Sequence, residues 1–391
     1  MDMKLSVIQF TLILLLASFA NYAQCLVIDI KKYGAPNGDI TSGLTKAWKE
    51  ACTSRTKAKI YIPKGTYNLL QIEFRGPCNA PIDFHVDGMI KAPAEYTKMD
   101  GNKQWIRFDH ISHLTLLGSG VFDGQGAAAW KQNDCGINKN CRKLPMNFGF
   151  GFLNHSIIRD ITSKDSKTFH VNVLSCNNVS FIHFTVTAPE TSLNTDGIHI
   201  GRSTDIKILN SNIATGDDCI SVGDGNKQVM IEKVTCGPGH GISVGSLGMY
   251  AYEQNVEGLF VKSCTIKNTQ NGVRIKTWPS SVGAIHASDM HFEDITMINV
   301  SNPVIIDQEY CPWNRCSKQI PSKIKISKVV FKDIRGTSAT KEGVTLLCSR
   351  SVPCEEVLLS NIDLKFKGTP AIAKCINVKP ILQGNVPACT R

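Results

Sequence analysis

"DIKILNSNIATGDDCISV", residues 205–222, and "VMIEKVTCGPGHGISV", residues 229–244, are two versions of one pattern. In each, short alternating apolar runs are broken by Asn, Gly, Asp or Ser, the period of a strand with one buried face. The unit recurs upstream as "SIIRDITSKDSKTFHVNVL" (156–174) and "NVSFIHFTVTAP" (178–189), and downstream as "LFVKSCTIKNTQNGVRIKT" (259–277), "MHFEDITMINVSNPVIID" (290–307) and "KVVFKDIRGTSATKEGVTLL" (328–347). Intervals of about 23 to 38 residues, with no long helical periodicity, predict an all-β fold: a single right-handed parallel β-helix, one unit per coil. A β-sandwich also has many short strands, but it does not predict polar punctuation at matching places. "GLTKAWKEAC" (43–52) reads as a short amphipathic helix that caps the first coil.

The ends and the cysteines set the compartment. Residues 1–23 combine a lone Lys4, an apolar stretch from Val7 to Ala20 and small residues near Ala20 and Ala23. That is the pattern of a secretory segment, too short to span a bilayer, and it leaves 24–391 as one β-helical domain, secreted and extracellular, with no membrane contact after cleavage. Fifteen cysteines suit an oxidising compartment. If cleavage follows Cys25, an even fourteen remain to pair, with Cys135–Cys141, Cys311–Cys316 and Cys348–Cys354 spaced as short clasps and none in the paired spacing of structural zinc. Asn154, Asn178 and Asn299 each open an N-glycosylation triplet. The net charge of +10 is scattered rather than clustered, which on an exported protein suits an acidic polysaccharide before nucleic acid.

Stacking of coils turns sequence spacing into proximity, because strands of adjacent coils lie about 4.8 Å apart. Asp196, then the pair Asp217 and Asp218, then His240, then Arg274 with Lys276, then Tyr310 follow one another at about one unit each, forming a ladder along one face. Singly, each has an ordinary explanation as a turn residue, a calcium ligand or a solvated charge. The Asp217–Asp218 pair is expected inside a short apolar strand, where adjacent side chains point to opposite faces; both reach the groove only if the backbone bends, and Gly216 would permit that.

"NTDGIHI" (194–200), "GDDCISVG" (216–223), "GHGISVGSLG" (239–248) and "RIKTW" (274–278), in this order, resemble the polygalacturonases, pectin-hydrolysing β-helical glycoside hydrolases, most closely the plant pollen exopolygalacturonase type. The likeness runs from "YGAPNGD" near residue 33 to the C-terminal cysteines. It implies hydrolysis of polygalacturonate with inversion, with Asp217 as general acid, Asp196 and Asp218 holding the water, and His240 supporting the acid's protonation. It also implies Asn194, Arg274, Lys276 and Tyr310 as substrate-binding residues, no metal or other cofactor, and a monomer. Inverting hydrolysis needs one carboxyl protonated and another ionised, and crowding carboxylates separates their proton affinities. Release of galacturonate from the non-reducing end is expected from the same resemblance, with endo attack, a calcium-dependent pectate lyase and a non-catalytic pectin-binding relative as the alternatives. Residues 132–145, "QNDCGINKNCRKLP", and 248–257 are the candidate groove walls.

Overall fold

Ile158, Phe181, Ile208, Ile231, Val261, Phe292, Phe331 and Leu359 are consecutive register partners in parallel strands, and all are fully buried. Each coil supplies one residue to this inner row, so the repeated apolar position of the sequence becomes a continuous core. The computed structural model describes residues 25–390 apart from 36, 37, 102, 136, 137, 139 and 315. The secretory segment expected over residues 1–23 lies outside the described residues. Parallel strands wind in the right-handed sense as a β-helix. One face is a 12-stranded sheet running from Ile72–Arg75 to Cys389–Thr390.

Register sets the coil length. Ile198 pairs with Ile220, and Ile220 with Ile242, so these coils close in 22 residues; Ile242 then pairs with Val273. The polar punctuation marks the corners: Asp160, His183, Asn210, Lys233, Ser263, Asp294 and Asp333 occupy equivalent turns with φ between +48° and +63°. Short polar side chains tolerate that left-handed conformation better than β-branched ones, which is why Asn, Asp and Ser interrupt each apolar run.

The N-terminal helix spans Thr41–Thr53, a little longer than the amphipathic stretch in the sequence, and buries Leu44, Ala47, Trp48 and Ala51. Asp39 accepts a hydrogen bond from the Thr41 N–H at 2.8 Å, satisfying one of the donors a helix start leaves open. Trp48 packs on Phe74 at 5.0 Å between ring centroids, and Phe74 on Phe108 at 4.9 Å. The helix thereby covers the open end of the core.

Cys135–Cys141, Cys311–Cys316 and Cys348–Cys354 close as the spacings predict, alongside Cys52–Cys78, Cys219–Cys236 and Cys375–Cys389. The expectation that all fourteen pair is corrected. Cys176 and Cys264 remain free and buried, each in a turn where a small apolar side chain fills the core; burial pushes the Cys176 thiol up to about 11 and the Cys264 thiol up to about 12.

Phe108 sits among Phe74, Phe84 and Phe150, within 5.7 Å of each ring. Phe108→Ala is expected to cost about 3–5 kcal/mol, because a stacked core between coils collapses poorly around a cavity. Urea unfolding of the variant against the parent measures it.

Candidate active site

Asp196, Asp218 and His240 each stand two residues before the register-paired isoleucines Ile198, Ile220 and Ile242. Three successive coils therefore bring them to one corner of the 12-stranded sheet. Asp217 and Asp218 are not in a strand, as the sequence suggested. They occupy the bend between the strands Asn212–Ala214 and Ile220–Val222. A hydroxyl network holds the bend: Thr215 Oγ1 donates to Thr195 Oγ1 at 2.8 Å, and the Gly216 N–H to the same hydroxyl at 3.1 Å. Gly216 is required by close approach, since a Cβ there would lie 1.9 Å from the Ser192 carbonyl oxygen. The buried Cys219–Cys236 bridge fastens the bend to the next coil.

The bend sends the paired carboxylates to different environments. The Asp217 side chain is 24% exposed and meets His240 Nδ1 at 3.0 Å through Oδ1. The His240 N–H also donates to the Asp217 carbonyl at 2.7 Å, so ring and backbone fix one another. Asp218 is 1% exposed and accepts from Lys276 Nζ at 2.7 Å, Arg274 Nη2 at 2.9 Å and Ser243 Oγ at 2.8 Å. Burial alone would raise its proton affinity, but Lys276 and Arg274 outweigh it and hold the carboxyl below the usual carboxylate range. Among the described residues, the Asp196 carboxyl has a neutral hydrogen-bond partner, the Ser221 hydroxyl, which donates to it at 2.9 Å. Burial, reinforced by Asp217 and Asp218, pushes Asp196 well above that range.

Three residues that sequence reasoning passed over complete the site. His199, Ser221, Ser243 and Arg274 are successive register partners on outward positions of the sheet. Ser221 donates its hydroxyl hydrogen bond to Asp196 and accepts one from His199 Nδ1 at 2.8 Å; burial, then Lys276, lowers His199 to about 4, so it is neutral. Ser243 accepts from Arg274 Nε at 3.1 Å while donating to Asp218. The alternation within "GIHIG", "CISVG" and "GISVG" contains the signal, but it looks like ordinary strand polarity.

Arg274 and Lys276, expected to face substrate carboxylates, are committed first to Asp218, with donors to spare. Tyr310 packs over both, its ring centroid 5.3 Å from Lys276 Nζ and 5.8 Å from the Arg274 guanidinium. Asn194 is exposed at the same corner, and its amide donates to Thr168 Oγ1 at 3.2 Å. Of the glycosylation asparagines, Asn154 and Asn178 are half-buried at the starts of the strands Asn154–Arg159 and Asn177–Ile182. Asn299 is exposed and lines a cleft of about 550 Å³ with Glu190, Gly216, His240 and Gln270. Asp217, Asp218 and His240 bring candidate ligand atoms within 4.8 Å of one another. Two cations already neutralise Asp218, and their charge opposes a metal ion there.

Residues 124–147 form the insertion upstream of this corner, on the coil two before that of Asp196. The short helix Ala127–Lys131 and the Cys135–Cys141 clasp belong to it. It is riveted to the intervening coil by Gly126 N–H to the Asp165 carbonyl at 2.8 Å, Trp130 Nε1 to the Ser166 carbonyl at 2.9 Å, and buried Lys167 to the Gly124 carbonyl. The 248–257 loop follows the strand Ile242–Leu247 and so stands at the opposite edge of the sheet.

Fold and site together define a β-helical protein with a carboxylate trio divided by two cations. The chain belongs to glycosyl hydrolases family 28, whose profile matches residues 52–390. It is 58% identical to a polygalacturonase of Medicago sativa over 99% of this chain and 93% of that one. It is 53% identical to an exopolygalacturonase of Oenothera organensis over 90% and 97%. The endo-xylogalacturonan hydrolase of Aspergillus tubingensis shares the fold with a TM-score of 0.77 at 23% identity, over 93% of this chain and 100% of that one.

Asp218 ionises below its ordinary range in the folded chain, so the stability it contributes is complete above about pH 4 and is lost as pH falls through the lowered folded value. Asp196 acts in the opposite sense: its contribution is present below the ordinary range and lost as pH rises through its raised value. Urea midpoints measured from about pH 5 down to about pH 2 should therefore fall less steeply in Asp218→Asn than in the parent. Parallel profiles would contradict the ion-pair assignment.

Proposed function

We propose that the chain hydrolyses α-1,4-galacturonosidic bonds of polygalacturonate with inversion, from the non-reducing end, releasing galacturonate. The observation that carries this is the division of the carboxylates: Asp217 is partly exposed against His240, while Asp218 is buried under Arg274 and Lys276, which favour its charged form. Asp217 gives its proton to the leaving glycosidic oxygen. Asp196 and Asp218 hold the attacking water, and Asp196, with the higher proton affinity, takes its proton. The two roles are linked. Asp217 and Asp218 both stand close enough to Asp196 to add to the effect of its burial, so the residue that takes the water's proton is held as the stronger base by its neighbours.

His240 keeps Asp217 in place through its ring and its backbone N–H and supports it in the acid role. The donors that Arg274 and Lys276 do not spend on Asp218, with Asn194 and Tyr310 beside them, bind galacturonate carboxylates and hydroxyls. A calcium-dependent lyase would need its cation where Arg274 and Lys276 already sit; activity that survives a chelator separates the two reactions.

The non-reducing-end reading is supported by the 124–147 insertion, anchored at the upstream end of the catalytic corner, and by the exopolygalacturonase names of relatives at about half identity. A wall there holds a chain terminus, whereas endo attack needs both ends open. The six disulfides fit an oxidising compartment, and we place the enzyme as a secreted monomer in the cell wall, released from a segment at 1–23. Asn154, Asn178 and Asn299 are its glycan acceptors.

Asp217→Asn keeps the shape and loses the proton, so turnover of polygalacturonate should fall at least about 10²-fold with binding retained. Near-parental turnover in the folded variant would remove Asp217 from the acid role. Early digestion products report the mode of attack: monogalacturonate with nearly unchanged viscosity is expected, and a rapid viscosity loss with mixed oligomers would show an open groove.

A further inference from the structure

Across the sheet from the catalytic corner, three successive coils end in loops that expose apolar side chains. Met249, Tyr250 and Tyr252 follow the His240 strand, Val282 follows the Arg274 strand, and Ile320 follows the next; all are between 47% and 64% exposed. The loops are tied into one surface by hydrogen bonds from Val282 N–H to the Gly248 carbonyl at 3.0 Å and from Ser280 N–H to the Ile320 carbonyl at 2.8 Å. A contiguous exposed apolar strip of this kind marks a binding surface more often than chance.

The strip is also held ready. Tyr250 and Tyr252 stack with centroids 5.2 Å apart and planes 4° from parallel, and the Arg202 guanidinium lies 5.0 Å from the Tyr252 centroid. Glu253 gathers the N–H groups of Gly248, Met249 and Tyr250 on its carboxylate at 2.5–3.0 Å, which fixes the loop that presents the rings. The two charges beside the tyrosines have partners: Arg202 pairs with Asp224 at 3.2 Å, and Glu253 is spent on backbone donors. Rigid aromatic rings bind apolar faces and methyl groups at little entropic cost.

Resting on the proposed hydrolase reading, we infer that this rim binds the downstream, reducing-end part of the pectin chain and accepts galacturonate residues whose carboxyl is methyl-esterified. A chain whose non-reducing end rests against the 124–147 wall would cross the successive coils of His240, Arg274 and Tyr310, whose sheet strands lead into these loops. Cations serve the scissile position, where a free carboxylate is required. The apolar rim serves the positions beyond it.

The test compares trigalacturonate with the same trimer methyl-esterified only on its reducing-end residue. Burying one methyl group is worth about fourfold, so the parent should favour the ester by about that factor in kcat/KM. Tyr250→Ser with Tyr252→Ser, and separately Val282→Ser, should each lower the ratio of the two substrates toward one. The ratio cancels losses common to both substrates, and the two variants lie on different loops, so a folding defect in one does not decide the outcome. Failure of the parent on unesterified trimer would overturn the hydrolase reading and the rim with it. Hydrolysis of that trimer without preference for the ester, or a preference that survives both variants, would overturn the rim alone, including the case in which the strip is a protein-docking surface.

Discussion

Among the described residues, the strands between the two ends of the β-helix are satisfied by the coil before them and the coil after them. A parallel strand leaves its N–H and C=O groups open on both sides, and here the neighbouring coil is the partner that closes them. Register is consequently strict: a slip by one residue would turn Ile208 and Ile231 outward and expose the inner row. The same strictness places chemistry. Asp196, Asp218 and His240 share a corner only because Ile198, Ile220 and Ile242 are in register.

Departures from the regular coil are where the site is made. The bend at 215–219 interrupts alternation, and it lets two adjacent aspartates enter different environments, one partly exposed against His240 and one enclosed by Arg274 and Lys276. An isolated buried carboxylate would take up a proton; a doubly paired one stays charged and destabilises charge on its neighbours. Asp196, buried and close to Asp217 and Asp218, holds its proton more tightly. Serines from the outward row then orient each carboxylate, Ser221 toward Asp196 and Ser243 toward Asp218. Fold energy and catalytic electrostatics thus rest on the same ladder.

The loops at the sheet's two edges divide other tasks. The 124–147 insertion docks at the upstream corner through Trp130 and Lys167, so its length adds a wall without disturbing the core. The loops at the far edge are shorter, carry aromatic and aliphatic side chains, and are bonded to one another across coils. A solenoid permits this because insertions between strands leave the stacked rows intact.

Much was legible in the sequence because a coil repeats its constraints. Alternation gave the strands, polar breaks gave the corners, and glycine-flanked Asp196, Asp217, Asp218 and His240 stood out at one-unit spacing. The three short disulfides were readable as well, since a loop of five or six residues can close on itself. What spacing could not decide was direction and company. Whether Asp218 faces solvent or Arg274, whether Asp217 lies in a strand or a bend, and which serine meets which aspartate depend on side chains 20 to 58 residues apart meeting in a dielectric that burial creates. Cys176 and Cys264 make the same point: their number suggested pairing, and only the packing of separate turns keeps the two thiols apart. A repeat written in sequence fixes where residues stack; the charge state of a stacked residue is decided by everything folded around it.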